Sequence, residues 1–242
     1  MFMFILLAQD ALSQATTRSR HEVHMSGAQN NLTVIPFTPR MMLSDVHAEM
    51  CIANQMNSKE LKEKLAEGFF HAIRSQSPRF IQTQLFGWDD AWPPALDTLY
   101  REIRYESLPI DTALMNPSGS TYISQGQLMV HGASVEKYIS ARVDTLIIQR
   151  MALASAGDFV LVINELDIRN LGVPAQIDPE GVRLFLQVHY TLFSSSGKKL
   201  KGGIVRRPFS KSSLLLSDVV RNDLMALAAE LFREVGLTKE AE

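Results

Sequence analysis

The chain has one cysteine, Cys51, in 242 residues. An internal disulfide is therefore excluded, as is any C-x-x-C redox or zinc pair, and Cys51 is expected to be a small core residue. No apolar run approaches the roughly 18–20 residues that a membrane-crossing helix needs, so no transmembrane span is expected. Charge of one sign is also lacking: the net value is −2, which gives the molecule as a whole no pull toward nucleic acid. There is no glycine-rich phosphate loop, no G-x-S-x-G elbow and no H-E-x-x-H pair. Those motifs work through fixed geometry, so nucleotide enzymes, elbow-type serine hydrolases and zincins are not expected. No cofactor, metal ion or catalytic residue is assigned on this basis.

What is present is enough apolar material, 46% of the residues, for a sizeable core. Its clearest expression is Gly157 to Ile168, GDFVLVINELDI. There a Gly-Asp turn launches five apolar residues, Phe159 to Ile163, before an alternation sets in, the mark of a strand buried on both faces at its start. Leu184 to Phe193 and Leu200 to Arg207 follow at hairpin distance, joined by a flexible tip at Ser194 to Lys199. The first strand should therefore lie in mid-sheet with the other two beside it.

Upstream, Leu32 to Phe37 reads as a strand that leaves the sheet at Pro36 and Pro39. Asn57 and Glu60 have the spacing of a capping box, followed by the stripe Leu61, Leu65, Phe69, Ala72, Ile73 of an amphipathic helix. Phe80 to Phe86 reads as a short strand, and Leu96, Leu99, Tyr100 and Ile103 as one side of another helix. Ser134 to Met151, with Val135, Tyr138, Ile139, Val143, Leu146, Ile147 and Met151, reads as a third helix. Leu171 to Gly181 reads as a surface loop. The last helix is expected to start at an Ser217 N-cap, to bury Val220, Leu224, Leu227, Leu231 and Val235, and to end at Gly236. The predicted fold class is α/β: a mixed sheet of about five to six strands packed with helices, with a strand-strand-strand-helix C-terminus.

Met1 to Ala8, MFMFILLA, has the length of a signal-peptide apolar region, although no basic residue precedes it. The expected organisation is a signal peptide over 1–15, a polar tail over 16–31 and a single α/β domain over 32–242.

Several groups invite a chemical reading. Asp45, His47, Glu49 and Cys51 alternate as metal ligands on an extended segment would, but the surrounding residues read as a solvated loop, as do His21, Glu22 and His24. Glu165 and Asp167, two apart on the central strand, face the same way as paired carboxylates of a hydrolase do, or simply mark where the strand emerges into water. His189 reads as a lone structural histidine. The sharpest group is basic: Lys198, Lys199, Lys201, Arg206, Arg207 and Lys211 fall within fourteen residues devoid of acid, leaving the rest of the chain at −8. These cations are candidate contacts for a protein or an anionic envelope component, or else protect an edge strand from aggregation. Without interleaved aromatics they do not read as a nucleic-acid surface. Trp88 and Trp92, around two aspartates and ahead of Pro93 and Pro94, form a second candidate partner surface or a core staple.

The Val34-Ile35-Pro36-Phe37 strand, the amphipathic helix after it, the Gly157-Asp158 apolar strand, the following hairpin and the terminal helix together resemble a known type. It is the small α/β domain of bacterial envelope proteins: the N-terminal domain of the Tol-Pal periplasmic protein, curli-secretion lipoproteins and lipoprotein activators of penicillin-binding proteins. The resemblance spans roughly residues 32–235, with Trp88 to Ser120 as an insertion and without a cysteine placed for lipidation. It implies an exported, periplasmic or secreted, non-enzymatic protein acting in binding or assembly, with self-association as a further expectation, and it transfers no catalytic residues. The alternatives from the residues are a hydrolase built on the carboxylate pair and a cytoplasmic interaction domain.

Overall fold

The computed structural model describes residues 30–86, 99–109, 121–124, 127–130, 137–170, 184–209 and 214–237. In chain order its elements are β1 (Asn30–Ile35), β2 (Met42–Ser44), α1 (His47–Asn54), α2 (Ser58–Gln76), β3 (Ile81–Leu85), β4 (Arg104–Pro109), β5 (Thr121–Ser124), β6 (Gln127–Val130), β7 (Lys137–Arg142), α3 (Thr145–Ala154), β8 (Phe159–Asn170), β9 (Leu184–Ser194) and β10 (Lys199–Phe209). A closing helix, α4, runs through Leu216–Asp218, a π-helical turn Val219–Leu224 and Met225–Val235. Trp88 and Trp92, the segment 1–29 and the loop after β8 lie outside the described residues.

The main sheet is six-stranded and mixed, in the order β10-β9-β8-β1-β3, with β2 also pairing with β8. β8 is central, and Val160 to Ile163 are wholly buried because each face of the strand is covered. It pairs antiparallel with β9 and parallel with β1. The chain leaves the sheet after Ile35, as Pro36 requires, and rejoins β8 further along as β2. Mixed α/β architecture with a strand-strand-strand-helix C-terminus is thus what the sequence pattern predicts.

The launching turn is tied to β1. Asp158 accepts from the Asn31 amide at 2.8 Å, and the Asn31 side chain donates to the Ala156 carbonyl at 2.9 Å. A Cβ added at Gly157 would stand 2.5 Å from Thr33 Oγ1, closer than atoms can approach. Gly157→Ala is therefore expected to destabilise the protein by about 1–3 kcal/mol, the usual cost of overpacking, read as a lower denaturant midpoint at unchanged m-value.

One face of the sheet, hereafter the helix face, is covered by α2 and α4. Leu61, Leu65, Phe69, Ala72 and Ile73 pack there with Leu161, Ile163, Leu166 and Ile168 of β8, and with Leu224, Leu227, Leu231 and Val235 of α4. The capping box is complete: the Asn57 side chain accepts from the Lys59 and Glu60 amides while Glu60 accepts from the Asn57 amide. Asn57→Ala is expected to cost about 1 kcal/mol, measurable by urea unfolding. Gly236 ends α4 in the left-handed region at φ 76°.

The opposite face is covered by α3 and by the two-stranded β4-β7 sheet, with Ile148, Met151, Val160, Val162 and Phe193 in a second apolar cluster. Here the sequence expectation needs correction, because Ser134 to Met151 is not one helix. Lys137–Arg142 pairs with β4 as a strand, and the helix starts only after Asp144, whose side chain accepts from the Leu146 amide at 2.8 Å. Three smaller corrections follow. β1 starts at Asn30, inside the expected tail. The segment around His47 to Cys51 is helical rather than a loop. Ser217 does not cap α4, since the Leu216 amide is capped by Asn54 Oδ1 of α1 at 2.7 Å.

Candidate functional site

A β-bulge organises the site. Before it, β8 and β9 pair as Ile163 with Tyr190; after it, as Glu165 with His189, so Asn164 is the extra residue. Leu161 and Ile163 face the helices before the bulge and Leu166 and Ile168 face them after it. Without the extra residue, Glu165 and Asp167 would point into the apolar core; with it they turn to the opposite face. Across the strand, Gln187, His189 and Thr191 alternate with the core-facing Leu186, Val188 and Tyr190 and occupy that same face.

Glu165, Asp167 and His189 are 8%, 1% and 4% exposed, which corrects both the water-emergence reading of the carboxylates and the lone reading of the histidine. His189 Nε2 lies 3.6 Å from Asp167 and 3.9 Å from Glu165. Asp167 Oδ2 accepts from Gln187 Nε2 at 3.1 Å and from Arg169 Nε at 3.4 Å, while Arg206 Nε donates to Gln187 Oε1 at 3.0 Å. Burial, reinforced by the hydrogen bond to Asp167 and its charge, pushes the Glu165 carboxyl up to about 8. Burial works against ionisation of Asp167 too, but His189, Glu165, Gln187 and Arg169 together hold it below the usual carboxylate range. The pair accordingly carries one proton near neutral pH: Glu165 is the neutral donor and Asp167 the anionic acceptor. Tyr105 of β4 packs over this region, its hydroxyl pushed up to about 12 by burial and by Glu165.

One carboxylate from each of two residues and an imidazole, with ligand atoms all within 4.8 Å of one another, is also a donor set for a divalent metal ion. The other ring nitrogen decides against it. His189 Nδ1 accepts from the Ile139 amide at 2.9 Å, so the ring's proton resides on Nε2, the atom a metal would need. Metal-bound imidazoles carry the opposite arrangement, donating from the distal nitrogen to an oxygen. The residues present therefore fit a proton-sharing cluster and not a metal centre.

The same face clamps β7. Besides the His189 bond, the Ala141 amide donates to Thr191 Oγ1 at 2.9 Å, and Asn164 Nδ2 donates to the Ile139 carbonyl at 2.8 Å and to Thr191 Oγ1 at 2.9 Å. Side chains of the main sheet thus satisfy the backbone edge of β7 that no strand among the described residues pairs with. This polar stripe had one legible signal in sequence, the shift of the apolar positions from 161 and 163 to 166 and 168.

The basic hairpin is placed along β10, an edge of the main sheet. Lys199 Nζ donates to Ser140 Oγ at 2.7 Å and sits over the Tyr138 ring. Lys201 pairs with Glu234 at 2.9 Å, Arg207 pairs with Glu230, and Arg206 lies over Phe185. Lys198, at the tip, has no ion-pair partner among the described residues, and Lys211 falls outside them. Of the other expected ligands, His47 contacts Ser58 Oγ at 2.8 Å and Cys51 Sγ at 3.7 Å on α1, and no metal-ligand cluster among the described residues includes Asp45 or Glu49.

No family model matches this chain, and no curated protein matches it. Among solved structures, it is similar to the PelC dodecamer from Paraburkholderia phytofirmans at 8% identity and a TM-score of 0.35, over 86% of this chain and 89% of that one. It is also similar to a lipoprotein from Neisseria meningitidis at 13% identity and a TM-score of 0.29, over 86% of this chain and 99% of that one. Likeness this slight carries no conclusion about activity. No described helix is long and apolar enough to cross a membrane.

Proposed function

We propose that this protein is an exported component of a bacterial cell envelope that acts by binding a partner or by assembling, and that β10 is the element it binds with. The observation that carries this reading is the edge itself. β10 is eleven residues long, and among the described residues no strand pairs with its outer side. Such an edge is a template for strand addition.

Its polarity can be read from one residue. Pro208 has no amide hydrogen, so it must occupy a position whose N–H side faces away from β9. By alternation, the Gly202 and Ile204 amides point outward as well, since the register is regular from Lys201 to Phe209. The basic side chains anchored along the strand keep it from pairing with a second identical edge and favour an acidic segment.

Two experiments test the reading. Ile204→Pro removes an outward donor without touching the ladder to β9, and it is expected to abolish partner capture from envelope extracts while Ile204→Ala retains it. Equal capture by both variants would reject the edge. Replacing Lys198 with Glu, at the unpartnered tip, is expected to weaken capture several-fold with no change in stability. For export, fractionation with N-terminal sequencing of the native protein is expected to find it outside the cytoplasm and processed near Ala15; an intact Met1 in the cytoplasm would leave a cytoplasmic interaction domain.

A further inference from the structure

A concave feature lies away from the carboxyl cluster, among the helices that cover the other face of the main sheet. Between α2, the end of β3 and the start of α4 lies a groove of about 870 Å³, inside the 300–1,000 Å³ range of small-molecule sites. Its floor is apolar: Met56, Leu85, Leu216, Val220 and Met225 are only partly buried and pack on the main core beneath. Leu215, at its mouth, is 49% exposed. The groove runs along the π-helical turn Val219–Leu224. A π-turn within an α-helix is frequently found at functional sites.

The rim is cationic. Lys64, Arg74 and Arg221 line it against a single acid, Glu67, and Lys64 is bound to Glu67 at 2.7 Å. Arg221, on the π-turn, has no ion-pair partner among the described residues. An apolar floor with the Arg221 guanidinium at its edge matches a ligand with one apolar chain and one negative charge. A guanidinium also presents the planar fork that a carboxylate accepts in two hydrogen bonds.

We infer that this groove binds a long-chain fatty carboxylate, with its chain over Val220 and Met225 and its head group on Arg221. The inference is independent of the β10 reading, since the two surfaces share no residue. The test is equilibrium binding of hexadecanoate to the full-length protein below the micellar range, alongside hexadecan-1-ol, which has the same chain without the charge. Saturable binding is expected for the acid and at least tenfold weaker binding for the alcohol. Arg221→Gln, which keeps most of the stem and removes the charge, is expected to weaken the acid at least tenfold while leaving the alcohol unchanged. Met225→Gln is expected to weaken both. Because Arg221 is exposed, its replacement leaves the fold intact, which a thermal melt verifies. Absence of saturable binding, equal affinity for acid and alcohol, or an unaffected Arg221→Gln variant would each overturn the inference.

Discussion

Glu165→Gln is expected to make the protein more stable at pH 9 and to remove most of its loss of stability between about pH 4.5 and pH 8. The sign follows from the direction of the shift. Below the ordinary value of 4.5 both folded and unfolded chains hold the Glu165 proton, and the group contributes no pH dependence. Between 4.5 and about 8 the folded protein keeps a proton that the unfolded chain releases. Stability therefore falls as pH rises, by about 1.4 kcal/mol per unit at most. Above about 8 the folded protein must hold two adjacent carboxylates, and the loss is complete. With solvent screening, the total is roughly 3 kcal/mol, or about 6–12 °C in Tm for a chain of this size.

Asp167 runs the other way. Its contribution is present above 3.8 and is lost as pH falls through its depressed value, so the contribution of this pair to stability peaks near pH 4–5. Glutamine reproduces the neutral, donating form of Glu165 at every pH. The measurement is denaturant unfolding at several pH values, and parallel curves for wild type and variant would mean that Glu165 carries no excess proton in the folded state.

Removal of Asp167 has the larger effect at neutral pH. Asp167→Ala takes away the anion on which Gln187 Nε2, Arg169 Nε, the Glu165 proton and His189 converge, and leaves Gln187, Glu165 and His189 buried without it. Breaking a buried charge network on one side typically costs about 3–5 kcal/mol. Asp167→Asn keeps one acceptor oxygen and should cost about half as much. Because the same stripe clamps β7, hydrogen exchange at Ile139 and Ala141 should accelerate more than at the core amides of β8 in either variant. A loss under 1 kcal/mol for Asp167→Ala would show that the cluster is not the hub its geometry makes it.

Much of this architecture was legible because local chemistry and packing agree. The five apolar residues from Phe159, the Asn57–Glu60 box and the α4 seam from Leu224 to Val235 each point to one answer and lie where the pattern puts them, whereas the π-turn buries Val219 and leaves Val220, the expected first seam residue, partly exposed. β7 was not legible, because its hydrogen bonds come from the ladder to β4 and from side chains roughly fifty residues on, His189 and Thr191. The cap of α4 was hidden for the same reason, since Asn54 and Leu216 are 162 residues apart. The candidate cluster lay between these cases. Glu165 and Asp167 were visible as a pair, but only the bulge at Asn164 sets them against His189. The cations of β10 were visible as a run, while their engagement by Glu230, Glu234 and Ser140 required the fold.

The claim on which the rest turns is that the buried Glu165–Asp167–His189 group is a closed, proton-holding clamp and not an open catalytic or metal centre. The direct measurement is the ¹⁵N spectrum of the His189 ring at about pH 7.5, with and without added zinc. The account predicts a neutral ring protonated at Nε2, with Nδ1 as acceptor, unchanged by the metal. A proton on Nδ1, or a zinc-induced shift at Nε2, would contradict it.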